Sequence, residues 1–167
     1  IFTCRVVGSV VINELFYHAP DDLTDLEWVE LHNTDDQTVD ISGWKLTGGI
    51  EFKFPDQSAI ARGGFVVLCK DAKLFAECYD APVSGEFKKS LSNGGDTVEL
   101  VDASGQRVDR VTYGDSDPWP VAADGESSSL ERITPGTPGD RADNWTASPL
   151  PEDMERPAGT PGRVNAS

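Results

Sequence analysis

Clustered carboxylates, two imidazoles, three thiols and four indoles are the groups in this chain with chemistry to offer. The densest carboxylate group is Asp21-Asp22-Leu23-Thr24-Asp25 followed by Glu27, and a second is Asp115-Ser116-Asp117 with Asp124. Hard oxygen ligands on loops suit calcium, so Asp21, Asp22, Asp25 and Glu27 are the metal candidates; neither group has the fixed spacing and central glycine of an EF-hand. Glu14, Glu27 and Glu30 can meet across strands, but a glycosidic acid/base pair needs a sugar cleft around it, and structural roles fit these residues better. His18 and His32 lack the neighbours of a triad base or zinc ligand, and Gly125-Glu126-Ser127-Ser128-Ser129 lacks the second glycine of a nucleophile elbow. No set of residues here makes an enzyme.

The thiols are Cys4, Cys69 and Cys78, an odd number without Cys-x-x-Cys spacing. A local Cys69–Cys78 bridge, contributing about 2–3 kcal/mol by closing a short loop, and a pair of buried free thiols both fit the sequence. Among the indoles, Trp28 and Trp44 stand amid apolar neighbours and read as core. Trp119, between Pro118 and Pro120, is the candidate for stacking on a ligand such as a sugar.

Composition narrows the partners. The formal net charge is -15 with a sequence pI near 4.3, a field that opposes nucleic acid and anionic membrane and favours basic partners or divalent cations. No apolar run approaches the roughly 20 residues of a membrane span. The start at Ile1, without the basic head and apolar centre of a signal peptide, suggests a piece of a longer or processed protein.

The elements that must position these groups are mostly strands. Residues 8–16, 27–33, 39–46, 51–54 and 65–69 have strand patterning. The pair 27–33 and 39–46, joined by the acidic turn 34–37, reads as the centre of the fold, so Trp44→Ala is expected to cost about 3–5 kcal/mol. Residues 71–77 form the one short helix, with Asp71 as N-cap. Residues 96–102 and 107–113 make a hairpin through Gly105, and 127–133 is the last strand. The expected organisation is an N-terminal extension at 1–8, a β-domain at 9–133, and an irregular Pro/Gly-rich tail at 134–167 docked in part through Trp145 before it leads out to a linker. Many short strands with one helix predict an all-β antiparallel sandwich, with a small barrel as competitor.

The blocks Val11-Ile12-Asn13-Glu14, Glu27-Trp28-Val29-Glu30-Leu31-His32-Asn33, Val39-Asp40-Ile41-Ser42-Gly43-Trp44-Lys45-Leu46, Gly94 with Asp96-Thr97-Val98-Glu99-Leu100, and Val108-Asp109-Arg110-Val111-Thr112-Tyr113-Gly114 resemble the lamin tail domain, in its bacterial branch. The likeness runs from about residue 10 to 113 and, more loosely, through Asn144-Trp145 to Gly159-Thr160-Pro161-Gly162-Arg163-Val164-Asn165. It implies an immunoglobulin-like sandwich acting as a non-catalytic binding or spacer module of a secreted or surface protein. The expected partner is then a protein or glycan of cell surface or matrix, with no nucleic acid, no membrane insertion and a monomeric domain. A calcium-dependent adhesion domain and an accessory domain positioning a neighbouring hydrolase are the alternatives. Asn144-Trp145-Thr146 and Asn165-Ala166-Ser167 match the N-glycosylation triplet, a pattern without meaning in a bacterial chain.

Overall fold

The structure, a computed structural model, describes residues 9–152 and 156–166. Strand β1 (Val10–Phe16) is followed by β2 (Trp28–Asn33), β3 (Val39–Asp40), β4 (Lys45–Gly48), β5 (Ile50–Lys53), β6 (Ala59–Ile60) and β7 (Phe65–Cys69). Helix α1 (Ala72–Cys78) leads to β8 (Gly85–Glu86), β9 (Lys88–Lys89), β10 (Gly95–Val101), β11 (Arg107–Gly114), β12 (Leu130–Arg132) and β13 (Trp145–Ala147). A six-stranded sheet in the order β13-β12-β1-β2-β7-β8 faces a five-stranded sheet in the order β11-β10-β4-β5-β9, while β3 and β6 form a separate ribbon. Two open sheets enclosing one core make a sandwich rather than a barrel.

The core between the sheets takes Ile12, Leu15, Val29, Leu31 and Leu68 from the first and Leu46, Ile50, Val98, Leu100 and Val111 from the second. A second apolar cluster lies on the opposite face of the six-stranded sheet, where Phe16, Trp28, Val67 and Cys69 meet Phe75 of α1 and Tyr79. That sheet is therefore covered on both sides, so all seven residues of β1 are buried and its strands read as apolar runs without clean alternation. Helix α1 starts where expected: the Asp71 carboxylate accepts the Leu74 amide at 2.9 Å, satisfying a donor the first turn leaves open. The β10–β11 hairpin pairs from Gly95↔Gly114 to Val101↔Arg107. Its turn is set by Gly105 at φ +85° and by Asp102, which accepts the Ser104 and Gln106 amides.

Three expectations change. Residues 39–46 are not one strand beside β2: the chain leaves β3, turns through Gly43 at φ +73°, and enters β4 in the other sheet. Trp44 stands on this crossover, half-buried against the rim of the core, while Trp28 is fully buried. The pairing is antiparallel throughout the two sheets except for β7 with β8, which run parallel. The tail does more than rest on Trp145: β13 pairs with β12, the Trp145 indole donates to Gly139 O at 2.9 Å, and residues 157–161 are buried again. We call residues 156–166 the strap.

Candidate functional site

One end of the sandwich gathers the loops that carry most of the predicted chemistry. Phe16↔Trp28 and Trp28↔Cys69 are register partners, so the loop after β1 and the loop after β7 leave from one level. The segment 115–125 joins them through the His18 imidazole, hydrogen-bonded to the Asp124 carboxylate. Asp21 and Asp22 sit exposed on a single 3-10 turn, and a shallow groove of about 280 Å³ between that turn and α1 is lined by Asp22, Asp25, Asp71, Lys73 and Glu77.

The four calcium candidates are not brought to one point. Asp25 turns to the Lys70 ammonium at 2.8 Å. Glu27 turns inward, accepting from Lys70 Nζ at 3.1 Å and from the Leu91 amide at 2.7 Å. Burial raises the Glu27 carboxyl above its usual range against those two bonds. Glu27 thus fastens the start of β2 to the segment before β10. Among the described residues, no group of three or more histidines, cysteines, aspartates or glutamates is arranged to hold a metal ion. Trp119 is half-buried and packs inward, 6.3 Å from the Trp145 ring and against Gly114, where an added Cβ would come within 3.1 Å of the indole. Cys69, buried, and Cys78, half-buried, are free thiols. Burial pushes the Cys69 thiol up to about 11, far from a reactive thiolate; Cys4 lies outside the described residues. His32 stacks on Phe65 with centroids 4.3 Å apart, and burial lowers its affinity for a proton.

The sequence reading finds only part of a row of glutamates on the outer face of the six-stranded sheet: Glu14 and Glu30 meet across strands as expected, Glu27 turns instead to Lys70 and Leu91, and Glu131 is the member it omits. Glu14 is the register partner of both Glu131 on β12 and Glu30 on β2, and all three are 0% exposed. A β-bulge at Asn13 creates the row. Ile12 and Leu15 both face the inner core, so Asn13 and Glu14 share the outer face. The backbone that the bulge releases is satisfied from the inner side: Ile12 N–H donates to Asp109 at 2.8 Å, and Ile12 O accepts from Arg132 at 2.9 Å. Asp109 and Arg132 themselves form a buried ion pair at 2.6 Å that ties β11 to β12 across the sandwich.

The strap supplies the partners of the row. Glu14 Oε1 accepts from the Thr160 amide at 2.9 Å and from Ser129 Oγ at 2.6 Å. Glu30 accepts from the Gly162 amide at 2.6 Å and from Asn13 Nδ2 at 2.9 Å, and Glu131 accepts from the Ala166 amide at 3.2 Å. Asn165 Nδ2 donates to Arg132 O at 2.8 Å. Gly159, at φ +108°, passes so close to the sheet that an added Cβ would lie 2.7 Å from the Trp28 ring and 3.0 Å from Glu14 Oε1. Burial, opposed by the Ser129 and Thr160 bonds, raises the Glu14 carboxyl to about 7. Burial and then the Glu14 charge raise Glu30 to about 8. The signal was present as glutamates inside otherwise apolar strand segments. Their partners, however, lie as far as 146 residues away in sequence.

A model of the lamin tail domain family matches residues 5–115, which takes in every element from β1 to β11 and stops before β12, β13 and the strap. Among curated proteins no match is found.

Proposed function

The chain belongs to the lamin tail domain family, a family of immunoglobulin-like interaction modules, and from that membership we propose that it is a non-catalytic binding module of a larger extracytoplasmic protein. Its partner is a cationic protein or matrix segment, held by the loops at the acidic end of the sandwich.

The observation that carries this reading is where charge is left unspent. Asp21, Asp22, Asp25, Glu77, Asp80, Asp117 and Glu126 are all exposed at that end, Lys70 and Lys73 are the only lysines or arginines in loops 17–27, 70–84 and 115–129, and the strap brings Arg156 and Arg163 only to the groove bordered by Glu77 and Asp80. Lys70 is already committed to Asp25 and Glu27. Such a surface attracts basic partners and speeds their encounter. Strand addition fits the fold less well. The edges β8 and β9 are two residues long and β13 is three. The long edge β11 has its Thr112 amide occupied by the Asp140 carboxylate at 3.0 Å. The resemblance of the sequence blocks to the bacterial branch of the family supports a secreted or surface setting.

Calorimetric titration with a short lysine-rich peptide at physiological salt tests the assignment. The triple reversal Asp21→Lys/Asp22→Lys/Glu77→Lys should abolish binding, while Asp35→Lys/Asp36→Lys/Asp56→Lys, an equal charge change on loops away from that end, should retain most of it. Equal losses in the two variants, or no binding by the natural sequence, would overturn it.

A further inference from the structure

Where the end of α1 meets the strap, the structure sets opposite charges around one groove without joining them. Glu77 and Asp80 stand exposed on the α1 side of a groove of about 550 Å³, and Arg156 and Arg163 stand exposed on the strap side. Among the described residues none of these four side chains forms an ion pair. Arg107, Arg110, Arg132 and Arg141 each hold a carboxylate, so the strap is where guanidinium charge remains open to a ligand.

The fold holds this groove in shape. Tyr79, which lines it, donates its phenol to Ala158 O at 2.7 Å and so ties the end of α1 to the strap. Arg163 rides on a turn in which its amide donates to Thr160 O at 3.1 Å, Gly162 takes φ +81°, and the Gly162 amide is fastened to Glu30 at 2.6 Å. Pro82 and Pro161 stiffen the two sides. A site fixed in this way has little left to order when a ligand arrives. Arg156 and Arg163 also line a second groove, of about 220 Å³, on the side of Leu150 and Glu152, so a chain crossing from one groove to the other passes over both guanidinia.

Repulsion decides what such a slot takes. A uniformly cationic segment drawn to Glu77 and Asp80 would bring its next charges against two arginines. A carboxylate in the same place meets planar donors that bind it bidentately. Resting on the binding role of the acidic end argued above, we propose that the groove selects, among basic partners, an extended peptide segment in which lysines or arginines adjoin aspartates or glutamates. The cations lie on Glu77 and Asp80, and the carboxylates lie on Arg156 and Arg163. Both acids fall within the residues matched by the family model and both arginines beyond them, so the strap adds a choice of partner to a surface of the matched domain.

Calorimetric titration of the full chain at physiological salt, with two pairs of lysine-rich peptides blocked at both ends, reads the choice. The members of a pair differ only in carrying two glutamines or two glutamates, placed last in one pair and first in the other. Exchanging glutamine for glutamate lowers the peptide's positive charge, so the overall field of the protein alone would weaken binding. The groove predicts the opposite sign. In at least one pair the glutamate peptide should bind about three- to tenfold more tightly than its glutamine counterpart, and in Arg156→Gln/Arg163→Gln that gain should turn into a loss. Weaker binding of the glutamate peptide in both pairs, or a gain that survives in the double variant, would overturn the selection while leaving the acidic end as a binding surface. No binding by any of the peptides would overturn both.

Discussion

The inner face of the six-stranded sheet is closed by a second sheet, and its outer face by a helix and a strap; the two closures rest on different chemistry. On the inner side Ile12, Leu15, Val29 and Leu31 meet Leu46, Val98, Leu100 and Val111, a non-directional fit that tolerates change in proportion to the volume removed. On the outer side half of the contact is apolar, through Phe16, Trp28 and Tyr79, and half is a polar row, Glu131, Glu14 and Glu30, whose partners sit on a segment with almost no regular structure. Such a row stabilises only when every member is satisfied. An apolar face therefore specifies a layer, whereas the polar face specifies which residues of the strap lie where. The bulge at Asn13 is the hinge between the two regimes, because it rotates Glu14 outward without taking Leu15 out of the core.

Mutations at the bulge should have the largest effect, since they disturb both faces. Asp109→Ala removes the partner of a fully buried guanidinium and the acceptor of the Ile12 amide, and should cost about 3–5 kcal/mol in denaturant unfolding. A loss under about 1 kcal/mol would mean that the bulge is held by something else. Next comes the pair of tryptophans. Trp28→Ala should cost about 3–5 kcal/mol, whereas Trp44→Ala, from a half-buried position on the crossover, should cost less than half as much. The order of the two midpoints decides the matter, and a larger loss at Trp44 would return the centre of the fold to residues 39–46. Gly159→Ala confronts both the left-handed backbone and the contact with Trp28. It should cost about 1–3 kcal/mol, concentrated in lost exchange protection along the strap with the inner core unaffected. The smallest change in stability is expected for Asp140→Ala on the exposed edge of β11. Its melt should stay nearly where it was, but with the Thr112 amide freed the protein should self-associate more readily in sedimentation at high concentration. A strictly monomeric variant would show that the edge needs no guard.

How much of this could be read from the sequence follows the same division. Local devices were legible: the Asp71 cap and the Gly105 turn act within a few residues of their own position, and the apolar content of β1, β2 and β7 announced a sandwich. The error over Trp44 arose because β3 and β4 are contiguous in sequence and Gly43 looks like any strand-breaking glycine; nothing local says that the chain changes sheets there. The acidic turn near residue 21 drew attention as a metal site because its carboxylates are dense, yet Asp25 and Glu27 are taken by Lys70 and Leu91, one of them from a segment 64 residues on. Of the glutamate row only the meeting of Glu14 and Glu30 was legible, and its full extent was hidden for two reasons. Alternation assigns Glu14 to the wrong face unless the bulge is known, and the Pro/Gly composition of the tail, read as a linker, gives no hint that its amides have buried acceptors.

The central claim is that the outer face holds protons that the unfolded chain would release. Glu14 at about 7 and Glu30 at about 8 stand above the ordinary value of 4.5. Their contribution is therefore complete below about pH 4.5 and is lost as pH rises through 7 to 8, on the order of 3 kcal/mol for one such group. The most direct measurement is the urea midpoint of the natural sequence and of Glu14→Gln/Glu30→Gln across pH 5 to 9. The account predicts a midpoint that falls through pH 7 to 8 in the natural sequence and stays nearly level in the double variant. A natural-sequence midpoint that is flat or rises over that range would contradict it.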